Sequence, residues 1–259
     1  MMQKIVFWTL VTGSLLAVAV HLVHPGSTKA PRVEEKRIVI WLNGQRIFLP
    51  IAYIPPRERG LYQDGHGTDA LRIEAVLPTL APFVDPEDNS PVFDRYRDEI
   101  SILIGPAGVN SEAERRELLA SYAKDWLESR SKEGQRFGLQ RYVLEPGARS
   151  AFVHNDVYLN LGPGPDQALI NCTPDSVPDP ESPEAAQLRR KGELVKNPMC
   201  EHTFFSPRLP KSVIQVSYFR RHLPNWRGIQ ASVLKFIDSL SDDRPGQQGI
   251  PSAAEPGST

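Results

Sequence analysis

Asp64, His66 and Asp69 fall within one six-residue stretch, Asp64-Gly65-His66-Gly67-Thr68-Asp69, and carry the side chains that acid–base and metal chemistry require. An imidazole flanked by carboxylates can take a proton as a general base, with one acid holding its tautomer. The same three side chains, or His154 with Asp156, offer nitrogen and oxygen donors to a metal, but no third spaced ligand pair accompanies them. Flanking glycines favour the plainer reading, a solvated polar loop with positive-φ turns. Cys200-Glu201-His202 sets a thiol near a histidine; strand neighbours turn to opposite faces, so it is read as no nucleophile–base pair.

Gly65-His66-Gly67-Thr68 resembles the segment that carries the catalytic histidine in subtilisin-like proteases. That resemblance ends at Asp69, where the family has a second histidine. A triad also needs an aspartate ending an early strand and a serine in a strand–helix turn. The chain holds no Gly-Thr-Ser turn, no Asp-Ser/Thr-Gly strand end, no phosphate-cradling glycine loop and no His-Glu-x-x-His. The chemistry-bearing residues therefore point to binding rather than turnover. An envelope hydrolase built on the Asp64–Asp69 loop is the rival reading, and a structural or assembly factor of an envelope complex is the third.

The elements that position these residues begin with an uninterrupted apolar run, residues 5–23, directly behind Lys4. As a helix it would be about 28 Å long, close to the roughly 30 Å hydrocarbon core of a bilayer. The run continues past the small-x-small match Ala17-Val18-Ala19, so it reads as an uncleaved inner-membrane anchor, with cleavage and release into the periplasm as the alternative. The expected organisation is a signal-anchor over residues 1–24, a linker over 25–36, a periplasmic domain over 37–241 and a disordered tail over 242–259. With 30 basic and 31 acidic residues there is no excess of charge to grip nucleic acid. In an oxidising compartment the two cysteines, Cys172 and Cys200, are expected to pair and staple the proline-rich segment between them.

Within residues 37–241 the pattern is that of an α+β domain, an antiparallel sheet with two main amphipathic helices, preceded by one N-terminal transmembrane helix. Two alternating apolar runs meet at Asn43-Gly44, a strong hairpin signal. Residues 55–69 read as a polar loop, 71–80 and 99–105 as strands. Ser111 and Glu114 form a capping box for a helix whose apolar face is Leu118, Leu119, Tyr122, Ala123, Trp126 and Leu127, with Gly134 as its stop. Strands follow at 137–145, 151–161, 167–172, 200–206 and 211–219. A second helix, residues 225–241, carries the stripe Trp226, Ile229, Val233, Phe236, Ile237 and Leu240.

The pattern Asn197-Pro198-x-Cys200-x-His202-x-Phe204, then Val216-x-Tyr218-x-Arg220-Arg221-x-Leu223-x-x-Trp226 and the helix to Leu240, resembles a family of bacterial proteins. These are the exported or membrane-anchored immunity proteins of type VI secretion, notably those guarding against phospholipases and other envelope-targeting toxins. The resemblance implies a periplasmic protein without catalytic residues, metal or cofactor, which neutralises a cognate toxin by occluding its active site. The expected partners are that toxin and, through residues 5–23, the inner membrane. Two loops are candidates for the contact. One brings Tyr62, Asp64, His66 and Asp69; the other brings Asp175, Asp179 and Glu181, with the cationic Arg220, Arg221 and His222 at the end of the last strand.

Overall fold

A computed structural model describes residues 36–83, 98–148, 155–193 and 197–241. The chain divides into two units, residues 1–34 and 35–259, and every described residue belongs to the second. The expected membrane helix at 5–23 and the tail at 242–259 lie outside the described residues. No described helix is long and apolar enough to cross a membrane.

β1 (Arg37–Leu42) and β2 (Gln45–Pro50) form the expected hairpin, with Asn43 and Gly44 both at positive φ, 49° and 82°. That backbone matches the right-handed twist of the flanking strands. β3 (His66–Thr68) pairs with β1 in parallel, and Pro56–Leu61 coils as a 3-10 turn. The stretch expected to be only loop thus contributes a strand to a small sheet of order β2-β1-β3.

The other described strands form a second sheet. They are β4 (Leu71–Val76), β5 (Ala81–Pro82), β6 (Glu99–Pro106), β7 (Arg130–Arg136), β8 (Leu139–Leu144), β9 (Asp156–Asn160), β10 (Ala168–Cys172), β11 (Met199–Phe205) and β12 (Ser212–Phe219). Their order is β5-β4-β6-β12-β11-β10-β9-β8-β7, antiparallel at each ladder. The architecture is α+β, as expected, but with two sheets instead of one and three described helices instead of two. These are α1 (Glu112–Leu127), α2 (Pro183–Arg190) and α3 (Trp226–Ser241).

Period-2 alternation decides which side of the large sheet each residue faces. Ile100, Ile102 and Ile104 of β6 and Ile214, Val216 and Tyr218 of β12 join Ile38, Ile40, Leu42, Ile47 and Leu49 of the small sheet and the Trp226, Ile229, Val233, Ile237 and Leu240 stripe of α3. A fully buried aliphatic side chain contributes roughly 1.5–3 kcal/mol, so this cluster is the main stabilising body. On the opposite side α1 seats Leu119 and Ala123 against Val157, Leu169, Phe205 and Val213. Tyr122, expected on that buried stripe, is instead exposed at its edge.

Two local expectations are corrected. The helix ends at Leu127, not Gly134, because the Arg130–Arg136 stretch leaves it to pair with β8 across a Phe137-Gly138 turn. Gly138 takes a φ of 76°, which favours glycine in this turn. The second is α2, which begins inside the proline-rich excursion, with Ser182 accepting from the Ala185 amide and Pro183 in its first turn.

Candidate interaction site

Cys172 and Cys200 face each other in register on β10 and β11 and are disulfide-bonded. Cys200 and His202, expected on opposite faces, share the core face, because positions two apart on a strand point the same way. The disulfide, not orientation, removes the thiol as a nucleophile. Just beyond the bridge the chain leaves the sheet as the 173–182 loop, and Arg220 meets it from the end of β12. The Arg220 Nη1 donates to the carbonyls of Thr173 (3.1 Å) and Pro174, and Nη2 to the Val177 carbonyl (2.8 Å) and the Asp179 carboxylate (2.9 Å). One nearly buried guanidinium thereby satisfies backbone groups that a loop of this composition cannot pair by itself.

Neighbouring charges extend the clamp. Asp175 is shared by Arg136 and by Arg141, the latter at 3.0 Å, and Arg141 also bonds buried Asp156 at 2.6 Å. Burial alone would lower the Arg141 pKa. The Asp156 hydrogen bond and the charges of Tyr158, Asp156 and Asp175 outweigh it, so the net shift is upward and the ion stays charged. Arg221 donates to Asp98 (2.6 Å) and Glu181 (3.3 Å), and His222 Nε2 lies 3.2 Å from the same Asp98 oxygen. Asp175, Asp179, Glu181, Arg220, Arg221 and His222 therefore form one constellation. Its carboxylates remain about half exposed, and a shallow cleft of about 550 Å³ runs between the loop and α2, lined by Asp179, Gln187, Leu188 and Lys191 among others. Such an arrangement holds acidic groups in fixed directions. Arg136, Arg141 and Asp98 complete it without having been singled out in the sequence, and Asp156, expected there only as a metal donor beside His154, which lies outside the described residues, instead pairs with Arg141. Only their opposite charges hinted at it, and sequence distance hid the pairing.

The other candidate group does not assemble this way. Asp64 accepts from the Val39 amide at 2.7 Å, and His66 Nδ1 lies 3.1 Å from the Asp64 backbone carbonyl. Tyr62 accepts from the Arg72 amide at 3.0 Å, holding the 3-10 turn onto β4. Asp69 is exposed. His66 thus meets a backbone oxygen where a triad needs a carboxylate. Among the described residues no three His, Cys, Asp or Glu side chains gather to hold a metal.

His202, Phe204, Tyr218 and Trp226, which carry the family resemblance, pack on one another in the core, with ring centroids 4.8–6.2 Å from His202. That pattern therefore lies inside the molecule, away from the exposed groups. Neither family models nor curated proteins give a match to this sequence. Among solved structures the fold is similar to that of Smlt3025, an immunity protein of the Stenotrophomonas maltophilia type IV secretion system. The TM-score is 0.51 at 16% identity, covering 81% of this chain and 94% of that one.

Proposed function

We propose that this chain is an immunity protein, which protects the cell that makes it by binding a cognate secreted toxin and blocking its active site. The observation that carries the reading is the fold likeness to Smlt3025 over nearly all of that protein's length. The core pattern from Asn197 to Trp226, which resembles immunity proteins in sequence, is in keeping with it. The machine that delivers the toxin is a finer matter. The sequence resemblance points to type VI secretion, whereas the similar structure belongs to a type IV system. The shared element, a delivered toxin as partner, is what we propose. We place the 37–241 domain in the periplasm, behind the apolar run at 5–23, where a Cys172–Cys200 bridge is stable.

Neutralisation by this domain is binding without turnover, and the 173–182 loop is the element best prepared for it. Proline, the disulfide and the Arg220 clamp order that loop before any partner arrives, so docking costs less conformational entropy. The test is co-expression. The secreted protein encoded beside this chain's gene, directed to the periplasm, is expected to arrest growth alone and to be tolerated when this chain is present. Purified together, the two are expected to form a one-to-one complex. Absence of rescue together with absence of association at micromolar concentration would refute the reading.

A further inference from the structure

Three hydrophobic side chains and two arginines share the outward face of the small sheet. Its inward residues, Ile38, Ile40, Leu42, Ile47 and Leu49, are buried in the main cluster. Alternation turns Arg37, Val39 and Trp41 of β1 and Arg46 and Phe48 of β2 the other way. The register sets Trp41 between Arg46 of β2 and Gly67 of β3, and Val39 beside Phe48. Trp41 keeps 45% of its surface exposed, and among the described residues Val39, Trp41 and Phe48 join neither apolar cluster. The Arg46 guanidinium lies over the Phe48 ring, 4.6 Å from its centroid. Lys36, at the entry to β1, is exposed, as are Arg37 and Arg46, and no carboxylate pairs with these three among the described residues. Asp64 is bonded to the Val39 amide at the edge of this sheet and offsets part of their charge. Arg220 and Arg221, by contrast, are committed to Asp179, Asp98 and Glu181.

We infer that this face rests on the headgroup region of an anionic bilayer, the one that holds the apolar run 5–23. It depends on the membrane reading of that run and not on the toxin. The first argument is where the chain leads. Residues 24–36 join the run to Arg37, and a segment of that length reaches at most about 45 Å, so a bilayer holding the run keeps β1 within that distance of its surface. The second is chemical. Trp and Phe bury their rings at headgroup level, where Trp can keep its N–H wet, and Lys36, Arg37 and Arg46 complement anionic headgroups. The third is size. Five side chains fall far short of the roughly 20–30 residues a side that a stable protein interface takes. A tethered face needs no such area, because the tether raises its local concentration and weak affinity suffices.

The test uses the full chain reconstituted into vesicles of phosphatidylglycerol and phosphatidylcholine, with bromine on the acyl chains just below the headgroups. Bromine quenches an indole that it touches. Trp8, within the apolar run, is replaced by Phe so that it does not report, and a second chain carrying Trp41→Phe as well supplies the signal of the remaining tryptophans. The difference between the two is the Trp41 signal. It is expected to be quenched by the brominated lipid. Most of that quenching should be lost in pure phosphatidylcholine, and likewise in a chain carrying Arg37→Glu and Arg46→Glu. Both arginines are exposed, so that chain should melt at the wild-type temperature.

A chain that floats with the vesicles yet shows no Trp41 quenching overturns the proposal. Quenching that is equal in pure phosphatidylcholine, or in the reversed-charge chain, overturns it as well. So does shielding of Trp41 from aqueous acrylamide that appears only on adding purified toxin, or only on raising the protein density in bromine-free vesicles. Those two results assign the face to the toxin and to a second copy. A chain that does not float at all refutes the membrane reading of residues 5–23 and the proposal with it, while rescue on co-expression still decides the immunity reading.

Discussion

His202 lies wholly buried against Phe204, Tyr218 and Trp226, its Nε2 3.1 Å from Gln230 Oε1 and its Nδ1 unpartnered among the described residues. Burial lowers its pKa from 6.5 to about 3, against a weaker opposing effect of the Gln230 hydrogen bond. The folded chain therefore refuses a proton that the unfolded chain accepts below pH 6.5. Stability is complete above that value and falls as pH drops from about 6.5 toward 3. At 1.36 kcal/mol per pH unit the loss is bounded at about 5 kcal/mol. Glu201 acts with the opposite sign. Its raised pKa contributes stability at low pH that is lost as pH rises through the carboxylate range, so it offsets part of the acid loss. Urea titrations from pH 7 to 4 should show stability declining in the wild type and a shallower decline in His202→Gln. Equal slopes would show that the imidazole is not buried as a neutral group.

Elements with little apolar content depend on contacts from outside themselves, and the 173–182 loop is the clearest case. Arg220 keeps 10% of its side-chain surface exposed and bonds three loop carbonyls and Asp179. Hydrogen bonds to a charged group contribute about 1.5–3 kcal/mol net, and Arg220→Ala also strands their acceptors. We expect Arg220→Ala to cost about 2–3 kcal/mol in chemical denaturation and to open the loop to glutamyl endopeptidase after Glu181. Reducing the disulfide, which closes a separation of 28 residues, should cost a further 3–4 kcal/mol, roughly, by loop entropy. An Arg220→Ala protein with wild-type stability and protease resistance would mean that proline and the disulfide hold the loop without the clamp.

At the scale of the whole molecule the large sheet is shared by both apolar clusters, one against α3 and the small sheet, the other against α1. Neither cluster retains its second wall if the sheet dissolves, so the described domain should unfold as one cooperative unit. Leu119→Ala beneath α1 and Ile237→Ala beneath α3 are each expected to cost about 2–5 kcal/mol and to shift a single thermal transition. Two separated transitions in the Leu119→Ala protein would show that α1 folds onto the sheet independently.

The residues themselves determined whatever short-range physics controls. Asn43-Gly44 permits a tight hairpin, Ser111 and Glu114 cap α1 reciprocally, and the Trp226–Leu240 stripe buries as read. Two cysteines in a chain read as exported predicted the bridge that the register of β10 and β11 accommodates. Where local signal was absent, only tertiary structure decided. The Arg-Ser-Lys-Glu-Gly-Gln-Arg stretch of β7 has no apolar period and becomes a strand because β8 supplies its hydrogen bonds. His66–Thr68 joins β1 for the same reason, against its loop-like composition. The candidate site divided in the same way. Asp175, Asp179, Glu181, Arg220, Arg221 and His222 were legible as charged groups in two distant segments. Their union with Arg136, Arg141, Asp156 and Asp98 was not, because an ion pair depends on distance in space and leaves no periodicity along the chain.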